Sequence, residues 1–361
     1  MYIKNIKIKD FRNYGELELD FNSKVNFILG QNAQGKTNLL ESLYITSMGK
    51  SFRTNRDTEM IGFEKNFARV YCEISRDYSD GSVEIIIDRS GKKFVKLDGV
   101  KIKKASELLK NVYIVIFSPE DLKIVKDEPE KRRKFIDREL CQINPSYYDS
   151  LSNYKKVLLQ RNTYLKEEIV DPSILDIWDM QLAEYGKRVM KHRREFIEKL
   201  DCISSEIHGK ITDCREKLNI KYAPNIDLKD DLYEIIKKSC DNDLRQRTTT
   251  RGPHKDDLEF YIDGINVRNF GSQGQQRTCA LSLKLAEIEL VKKLINDNPI
   301  LLLDDVMSEL DSNRRDALLE SIDDIQTIIT GTGLDEFIKN RFKIDKIFNV
   351  VEGVVTEKTE L

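Results

Sequence analysis

The sequence predicts an α/β fold assembled from both ends of the chain, with an all-helical arm inserted between them. Three observations carry this prediction. An apolar strand, Val25 to Leu29, runs through a glycine-rich loop into a helix bearing Leu39, Leu40, Leu43 and Tyr44 at helical spacing. A second apolar strand, Ile300 to Leu303, ends in two adjacent acids, Asp304 and Asp305. Between them, residues 126–244 have scarce glycine, little strand signal and long amphipathic stretches such as ILDIWDMQLAEYGKRVMKHRREFIEKLDCISSEIHGKI. The expected division is therefore 1–125, the first part of a head; 126–244, the arm; and 245–361, the rest of the head.

The first segment alternates apolar and polar residues at Ile3, Ile6, Ile8 and then Leu17, Leu19, Phe21, which predicts two antiparallel strands joined through Asn13-Tyr14-Gly15. Period-two runs Val70 to Ile74, Val83 to Asp88 and Phe94 to Leu97, separated by Gly-containing turns, predict an antiparallel meander. A short helix near Ala105 to Leu109 leads to a buried strand, Val112 to Phe117. Asp171-Pro172 and Ala223-Pro224 are expected to break the arm into separate helices. Strand character returns at Leu258 to Ile262, where the α/β pattern resumes.

Composition limits the function. The 361 residues carry 62 acidic and 60 basic side chains, so a net charge of −2 gives no global attraction to nucleic acid, and DNA binding requires a local basic face. No stretch reaches the roughly 18 apolar residues of a membrane span, and MYIKNIKIKD lacks the apolar core of a signal peptide, so a cytoplasmic protein without membrane association is expected. The 6 cysteines show no C-x-x-C spacing, which indicates neither a zinc site nor a disulfide framework.

Gly30, Gln31, Asn32, Ala33, Gln34, Gly35, Lys36 and Thr37 form a G-x-x-x-x-G-K-T phosphate loop between strand and helix. Glycines let backbone N–H groups surround a polyphosphate, Lys36 supplies charge for its outer phosphates, and the Thr37 hydroxyl suits Mg²⁺. This predicts ATP and Mg²⁺ as ligands. Asp304, ending a buried strand, is placed to orient the metal, and Asp305 to activate water as general base. Farther along the chain, Gly271, Ser272 and Gly274 precede a helix and offer a second anion site at its N-terminus. With one nucleotide already held by the phosphate loop, this second site is expected to receive the γ-phosphate of a nucleotide bound by another subunit. At the mouth of the site, GKSFRTNRD (Gly49 to Asp57) reads equally as a phosphate contact or a solvated loop.

SQGQQ, comprising Ser272, Gln273, Gly274, Gln275 and Gln276, resembles the signature loop of ABC-type ATPases, and LLLDDVMSELD resembles their Walker B strand and D-loop. Together with GQNAQGKTNLLE, FSPEDLKIVKDEPEKRRKFID and RGPHKDDLEF, in this order, these stretches resemble the RecF family of SMC-like ATPases. The resemblance covers the head and the start of the arm. It implies an ABC-type ATPase head, a P-loop core plus an antiparallel β-lobe, that forms a homodimer on ATP and binds double-stranded and gapped DNA. It further implies that the protein works with RecR and RecO to assist RecA loading at gaps and junctions in DNA repair and replication. By the same resemblance, Arg12 and Asn13 in FRNY lie near adenine and ribose, and Ser118 to Asp121 stand where a Q-loop sits, without the glutamine.

The sequence departs from the pattern in three places. Asp305 replaces the usual glutamate, one methylene longer, which predicts slow hydrolysis. No switch histidine follows the next strand, leaving Thr330 or Thr332 to contact the γ-phosphate. Lys126-Asp127-Glu128 stands where a glycine usually precedes Pro129. His254 is expected to pack or hydrogen-bond rather than catalyse, and Arg132 and Arg133 face either DNA or the arm's own acids. Three alternatives stay open: an SMC-like ATPase of another DNA-maintenance pathway, a transporter ATPase subunit, and a monomeric P-loop kinase or GTPase. The size and charge of the insertion argue against the transporter, and the signature and D-loop have no use in a monomeric kinase.

Overall fold

The computed structural model describes residues 1–76, 79–320, 322, 324–333 and 343–358. The chain forms two compact units, a terminal unit of Met1–Asp121 with Glu287–Leu361 and an inserted unit of Leu122–Ala286. In chain order the terminal unit starts with β1 (Tyr2–Phe11), β2 (Tyr14–Asp20), β3 (Val25–Leu29) and α1 (Lys36–Met48), then β4 (Phe67–Ser75), β5 (Asp80–Asp88), β6 (Lys93–Leu97), β7 (Val100–Lys101) and β8 (Ile114–Phe117). The inserted unit holds α2 (Pro129–Ile143), α3 (Pro145–Tyr164), α4 (Pro172–Ile211), β9 (Leu218–Ala223), α5 (Leu232–Lys238), α6 (Cys240–Gln246), β10 (Asp257–Ile262), β11 (Ile265–Asn266) and α7 (Val267–Phe270). Helix α8 (Gln273–Ile295) leads back to β12 (Ile300–Leu303), α9 (Ser312–Glu320), β13 (Thr327–Gly331), β14 (Lys346–Val351) and β15 (Val354–Lys358).

Two sheets build the terminal unit. One is antiparallel, in the order β2-β1-β4-β5-β6-β7, and the other runs β15-β14-β3-β13-β12-β8, parallel except for the edge hairpin β14–β15. Continuous apolar runs such as Ile300–Leu303 occupy the parallel sheet, as strands buried on both faces require. The first hairpin turns one residue earlier than the sequence predicts, because Phe11 pairs with Tyr14 and the loop is Arg12-Asn13, with Arg12 at φ 54°. Side chains from both sheets and from α1 form one core, with Ile6, Val70, Leu40, Ile28 and Leu302 among them.

Helix α1 is buried on nearly all sides rather than amphipathic, with Leu39 through Ser47 enclosed. Its hydroxyls therefore bond back to the helix, Ser42 to Leu39 O at 2.6 Å, Thr46 to Leu43 O at 2.6 Å and Ser47 to Tyr44 O at 2.8 Å. Glu41 is completely enclosed and needs charged partners. Arg12 grips it bidentately, Nε to Oε2 at 2.8 Å and Nη2 to Oε1 at 2.7 Å, while the Ser51 hydroxyl also donates to it and Arg53 lies 3.4 Å away.

The inserted unit departs from the all-helical expectation. Residues 218–223 form β9, which pairs antiparallel with β10, and β10 pairs with β11. The stretch from 245 to 286 thus belongs with the insertion and not with the head, because β10 finds its hydrogen-bond partner in β9. Pro172 starts α4 behind the Asp171 cap, as a proline at the first helical position should. Ala223-Pro224 ends a strand, not a helix.

Three buried arginines order this unit. Arg161 donates to Asp179 at 2.6 Å, Asp243 at 2.7 Å and the Thr249 hydroxyl at 2.9 Å. Arg193 donates to Asp137 at 2.7 Å, Asp256 at 3.0 Å and Pro253 O at 2.7 Å. Arg132, 1% exposed, is bidentate to Asp257 at 2.6 and 2.9 Å, and Arg133 donates to Asp256 O at 2.7 Å. Arg132 therefore faces the unit's own acid, since a bidentate carboxylate occupies the fork that phosphate contact would need. His254 accepts from Tyr154 through Nδ1 at 2.6 Å and donates through Nε2 to Thr249 O at 3.0 Å, the tautomer that a carbonyl acceptor demands. Burial lowers its pKa to about 4.

Two outcomes follow for stability. Arg12→Ala leaves Glu41 enclosed with weaker compensation and is expected to lower the unfolding free energy by about 3 kcal/mol in urea titrations. For His254 the folded pKa lies below the unfolded value, so its neutral form stabilises above pH 6.5 and that contribution is lost as pH falls towards 4. The stability advantage of the wild type over His254→Gln should shrink by roughly 2–3 kcal/mol between pH 7 and 4, and an advantage unchanged over that range would contradict the buried neutral imidazole.

Candidate functional site

The phosphate loop spans the gap between the C-terminal end of β3 and the first turn of α1. Its entry is tight, because a Cβ at Gly30 would lie 2.6 Å from Val350 O. Ala33 and Gly35 take positive φ values of 66° and 118°, left-handed turns of the kind that converge backbone amides on an anion. Lys36, 4% exposed, folds its ammonium into the loop and donates to Gly30 O at 2.8 Å and Gln31 O at 3.2 Å. Gln31, Asn32 and Ala33 are exposed at the rim. Gln34 is held from the side, its carbonyl accepting from Gly353 N–H at 3.2 Å and its side chain from Glu352 N–H at 2.6 Å.

The paired acids meet this loop. Thr37 Oγ1 donates to Asp304 Oδ1 at 2.9 Å, and Asp305 Oδ2 lies 3.6 Å from Lys36 Nζ. Burial pushes the Asp304 carboxyl above the ordinary range, hydroxyl hydrogen bonds from Thr37 and Thr330 pull it back, and the neighbouring Asp305 adds to the rise. A hydroxyl and a carboxylate at this separation supply hard oxygen donors of the kind Mg²⁺ takes when phosphate oxygens and water complete its shell. Among the described residues, no group of three or more His, Cys, Asp or Glu could hold a metal alone. The donor set thus fits a cation shared with a polyphosphate.

Thr330 corrects an expectation. Its strand, β13, lies between β3 and β12, so its side chain, 1% exposed, reaches the acids. The hydroxyl donates to Asp304 Oδ1 at 3.0 Å and accepts from Asp305 N–H at 2.9 Å. It is committed beneath the acids rather than offered to a γ-phosphate, whereas Thr332 is exposed. Asp305 itself sits at φ 52°, a left-handed conformation that its bonded amide helps to hold.

The FRNY segment braces the loop. Arg12 is spent on Glu41 and on Glu59 O at 2.7 Å, so its guanidinium has a structural task where a nucleotide contact was expected. Asn13 does touch the loop, donating to Gln34 O at 3.1 Å and accepting from Asn38 at 2.7 Å, and Tyr14 donates to Gly35 O at 3.0 Å. A Cβ at Gly35 would meet Asn13 at 2.6 Å. Part of the basic loop after α1 is likewise spent internally, with Arg53 on Asn38 at 2.6 Å. Sequence reasoning missed Glu41, whose one legible sign was a lone acid on a helix face otherwise apolar. Ser118 closes its own turn, its amide and hydroxyl donating to Asp121 at 2.8 and 2.9 Å.

Ser272, Gln273, Gly274 and Gln275 lie in the inserted unit at the start of α8. Gly271 N–H bonds to Val267 O at 3.0 Å and Ser272 N–H to Gln275 Oε1 at 2.9 Å, so these two amides are engaged within the chain and are not offered to an anion, contrary to expectation. In return Gln275 N–H donates to Ser272 Oγ at 3.2 Å, which completes a capping box. Ser272 is exposed, and its hydroxyl proton is what it can present outward.

No helix among the described residues is long and apolar enough to cross a membrane. Residues 2–356 match the RecF/RecN/SMC N terminal domain family. The chain is 50% identical over 360 residues to the DNA replication and repair protein RecF of Agathobacter rectalis, covering 98% of this chain and 99% of that protein. It is 48% identical over 363 residues to that of Lachnospira eligens, covering 99% and 100%. Among solved structures it resembles the recombination mediator protein RecF-ATP of the RecFOR pathway at 37% identity and a TM-score of 0.91, covering 99% of this chain and 98% of that one. A Smc head bound to the C-winged helix domain of ScpA, at 18% identity and a TM-score of 0.57, shares the fold. The ABC-type signature, the paired acids and the full-length likeness agree: the chain belongs to the RecF/RecN/SMC family and, within it, to the RecF DNA replication and repair proteins.

Proposed function

We propose that this protein is an ATP-switched recombination mediator of the bacterial cytoplasm, which dimerises on ATP, binds DNA at gaps and junctions, and with RecR and RecO assists RecA loading. One observation carries the reading: a chain matched end to end by RecF proteins keeps a phosphate loop whose Thr37 is already hydrogen-bonded to Asp304. The similar structure of RecF with ATP supports the same nucleotide here.

In this reading Gly30 to Thr37 cradle the triphosphate, and Lys36, already drawn into the loop, supplies the positive charge. Asn13 fixes the loop's last turn beside the base and ribose. Thr37 and Asp304 hold Mg²⁺, which when bound neutralises phosphate charge. Ser272 to Gln275 of a second molecule complete the cage, so that ATP joins two protomers and a basic face closes on DNA. Asp305 takes the proton of the attacking water onto its carboxylate. Because its side chain is one methylene shorter than glutamate and its backbone is pinned through Thr330, water is held at longer range and hydrolysis is slow, which lets it reset the dimer.

Sedimentation with ATP and Mg²⁺ should show wild-type protein as a dimer and both Lys36→Arg and Ser272→Arg as monomers. Gapped-duplex binding, titrated over salt with and without ATP, should weaken in both variants with a shallower salt slope, because the slope counts phosphate contacts. Wild-type binding that is equal with and without ATP would contradict the switch. Steady-state turnover should stay at or below about 1 per second, the low end for enzymes. Asp305→Asn should reduce it by roughly 10²-fold while dimerisation persists, and an Asn variant of undiminished turnover would remove Asp305 from the base role.

A further inference from the structure

The signature serine is tied to a side chain from elsewhere in the inserted unit. Gln275 caps Ser272 with its carbonyl, Oε1 accepting from Ser272 N–H at 2.9 Å, and uses its amide nitrogen to donate to Glu216 Oε1 at 3.0 Å. Glu216 lies just before β9, and its other oxygen is 3.3 Å from His208 Nε2, in the last turn of α4. His208 is fully buried; donating through Nε2 to Glu216, its neutral imidazole accepts at Nδ1 from the Ser282 hydroxyl 3.0 Å away. A continuous chain of hydrogen bonds thus runs from α4 to the exposed end of α8.

The chemistry of the middle link gives this chain a direction. A glutamine amide has nearly the same shape in its two flipped orientations, but only one presents its carbonyl to Ser272 N–H. A carboxylate accepts and has no proton to give, so Glu216 selects the NH₂ side and the carbonyl is left for the cap. With Gln275 N–H on its oxygen, Ser272 Oγ keeps its own proton for donation. Histidine 208 in turn restrains the carboxylate from the side opposite Gln275.

We propose that Glu216, restrained by His208, is a positioning residue for Ser272. It holds the capping box closed so that the serine hydroxyl is aimed at an anion, the terminal phosphate of a nucleoside triphosphate carried by a second copy of this chain. The proposal rests on the dimer reading above, and it adds that α4 and the signature end of α8 respond as one unit.

The test uses full-length Glu216→Ala, Glu216→Gln, Gln275→Ala and the Glu216→Ala/Gln275→Ala double variant. Sedimentation with ATP and Mg²⁺ should show dimer dissociation constants raised about tenfold in Glu216→Ala, the weight of one helix cap. Glu216→Gln keeps a carbonyl acceptor and should stay within about twofold of wild type, and the double variant should be no weaker than Gln275→Ala. Fluorescent ATP binding to the monomer should be unchanged throughout. Wild-type dimerisation in Glu216→Ala, a Gln variant as weak as Ala, or additive effects in the double variant would each overturn the proposal. Hydrogen exchange at the Ser272 amide, measured without nucleotide, separates this idea from the dimer reading. Should the wild type fail to dimerise, the dimer reading falls, and the cap is judged by exchange alone: faster exchange in Glu216→Ala upholds Glu216 as its support, and unchanged exchange overturns it.

Discussion

A helical stretch without a solvent-facing side must settle every polar group it carries inside the protein, and α1 is such a stretch from Leu39 to Ser47. Its hydroxyls return to its own carbonyls, which leaves Glu41 as the group that cannot be satisfied locally. The carboxylate draws Arg12 from the first hairpin and Ser51 and Arg53 from the following loop. The first hairpin, α1 and the loop after it thus become one piece around the phosphate loop. Arg12 then fixes Asn13 and Tyr14, which reach Gln34 O and Gly35 O. A buried ion pair of this kind is weak evidence for net stability, since an apolar pair of equal volume often does as well. Its value here is geometric, because no apolar pair would place Asn13 on the loop.

The same constraint governs the inserted unit and bears on DNA. Arg132, Arg161 and Arg193 are almost wholly enclosed, each held by carboxylates of its own unit. Their charges are unavailable to phosphate. The acids that hold them, Asp179, Asp243 and Asp256 among them, are buried as well, so the withdrawal is of pairs and adds no basic character to the surface. In the proposed reading, the DNA-binding face must therefore come from exposed lysines and arginines, and joining two copies would double whatever patch one copy offers.

What the sequence discloses follows from the range of the interactions. The loop from Gly30 to Thr37, the strand ending at Asp304 and the capped helix after Ser272 are local patterns, and each stands at its expected residues. Strand β9 was hidden because LNIKYA alternates over only three apolar residues, Leu218, Ile220 and Tyr222, between strongly helical stretches. Its partner β10 was visible, but pairing is not local, so its place in the insertion was not. Glu41 and Glu216 are silent for the same reason, and Thr330 is legible as a residue of the site but not in its role: each acts through a partner from another part of the chain.

Thr330 shows how such a meeting shapes chemistry. A hydroxyl donates once and accepts elsewhere, and this one donates to Asp304 while accepting from the amide of Asp305. Burial raises the proton affinity of Asp304, so in the proposed reading a divalent cation there would compete with a proton and bind more firmly as pH rises. Loss of that proton would make the carboxylate a stronger acceptor for the Thr330 hydroxyl, and hydrogen bonds in series reinforce one another. The Asp305 amide would then be held more firmly in its left-handed turn. In the proposed reaction, Asp304, which would hold the metal, and Asp305, which would receive the proton, are thus linked through one threonine.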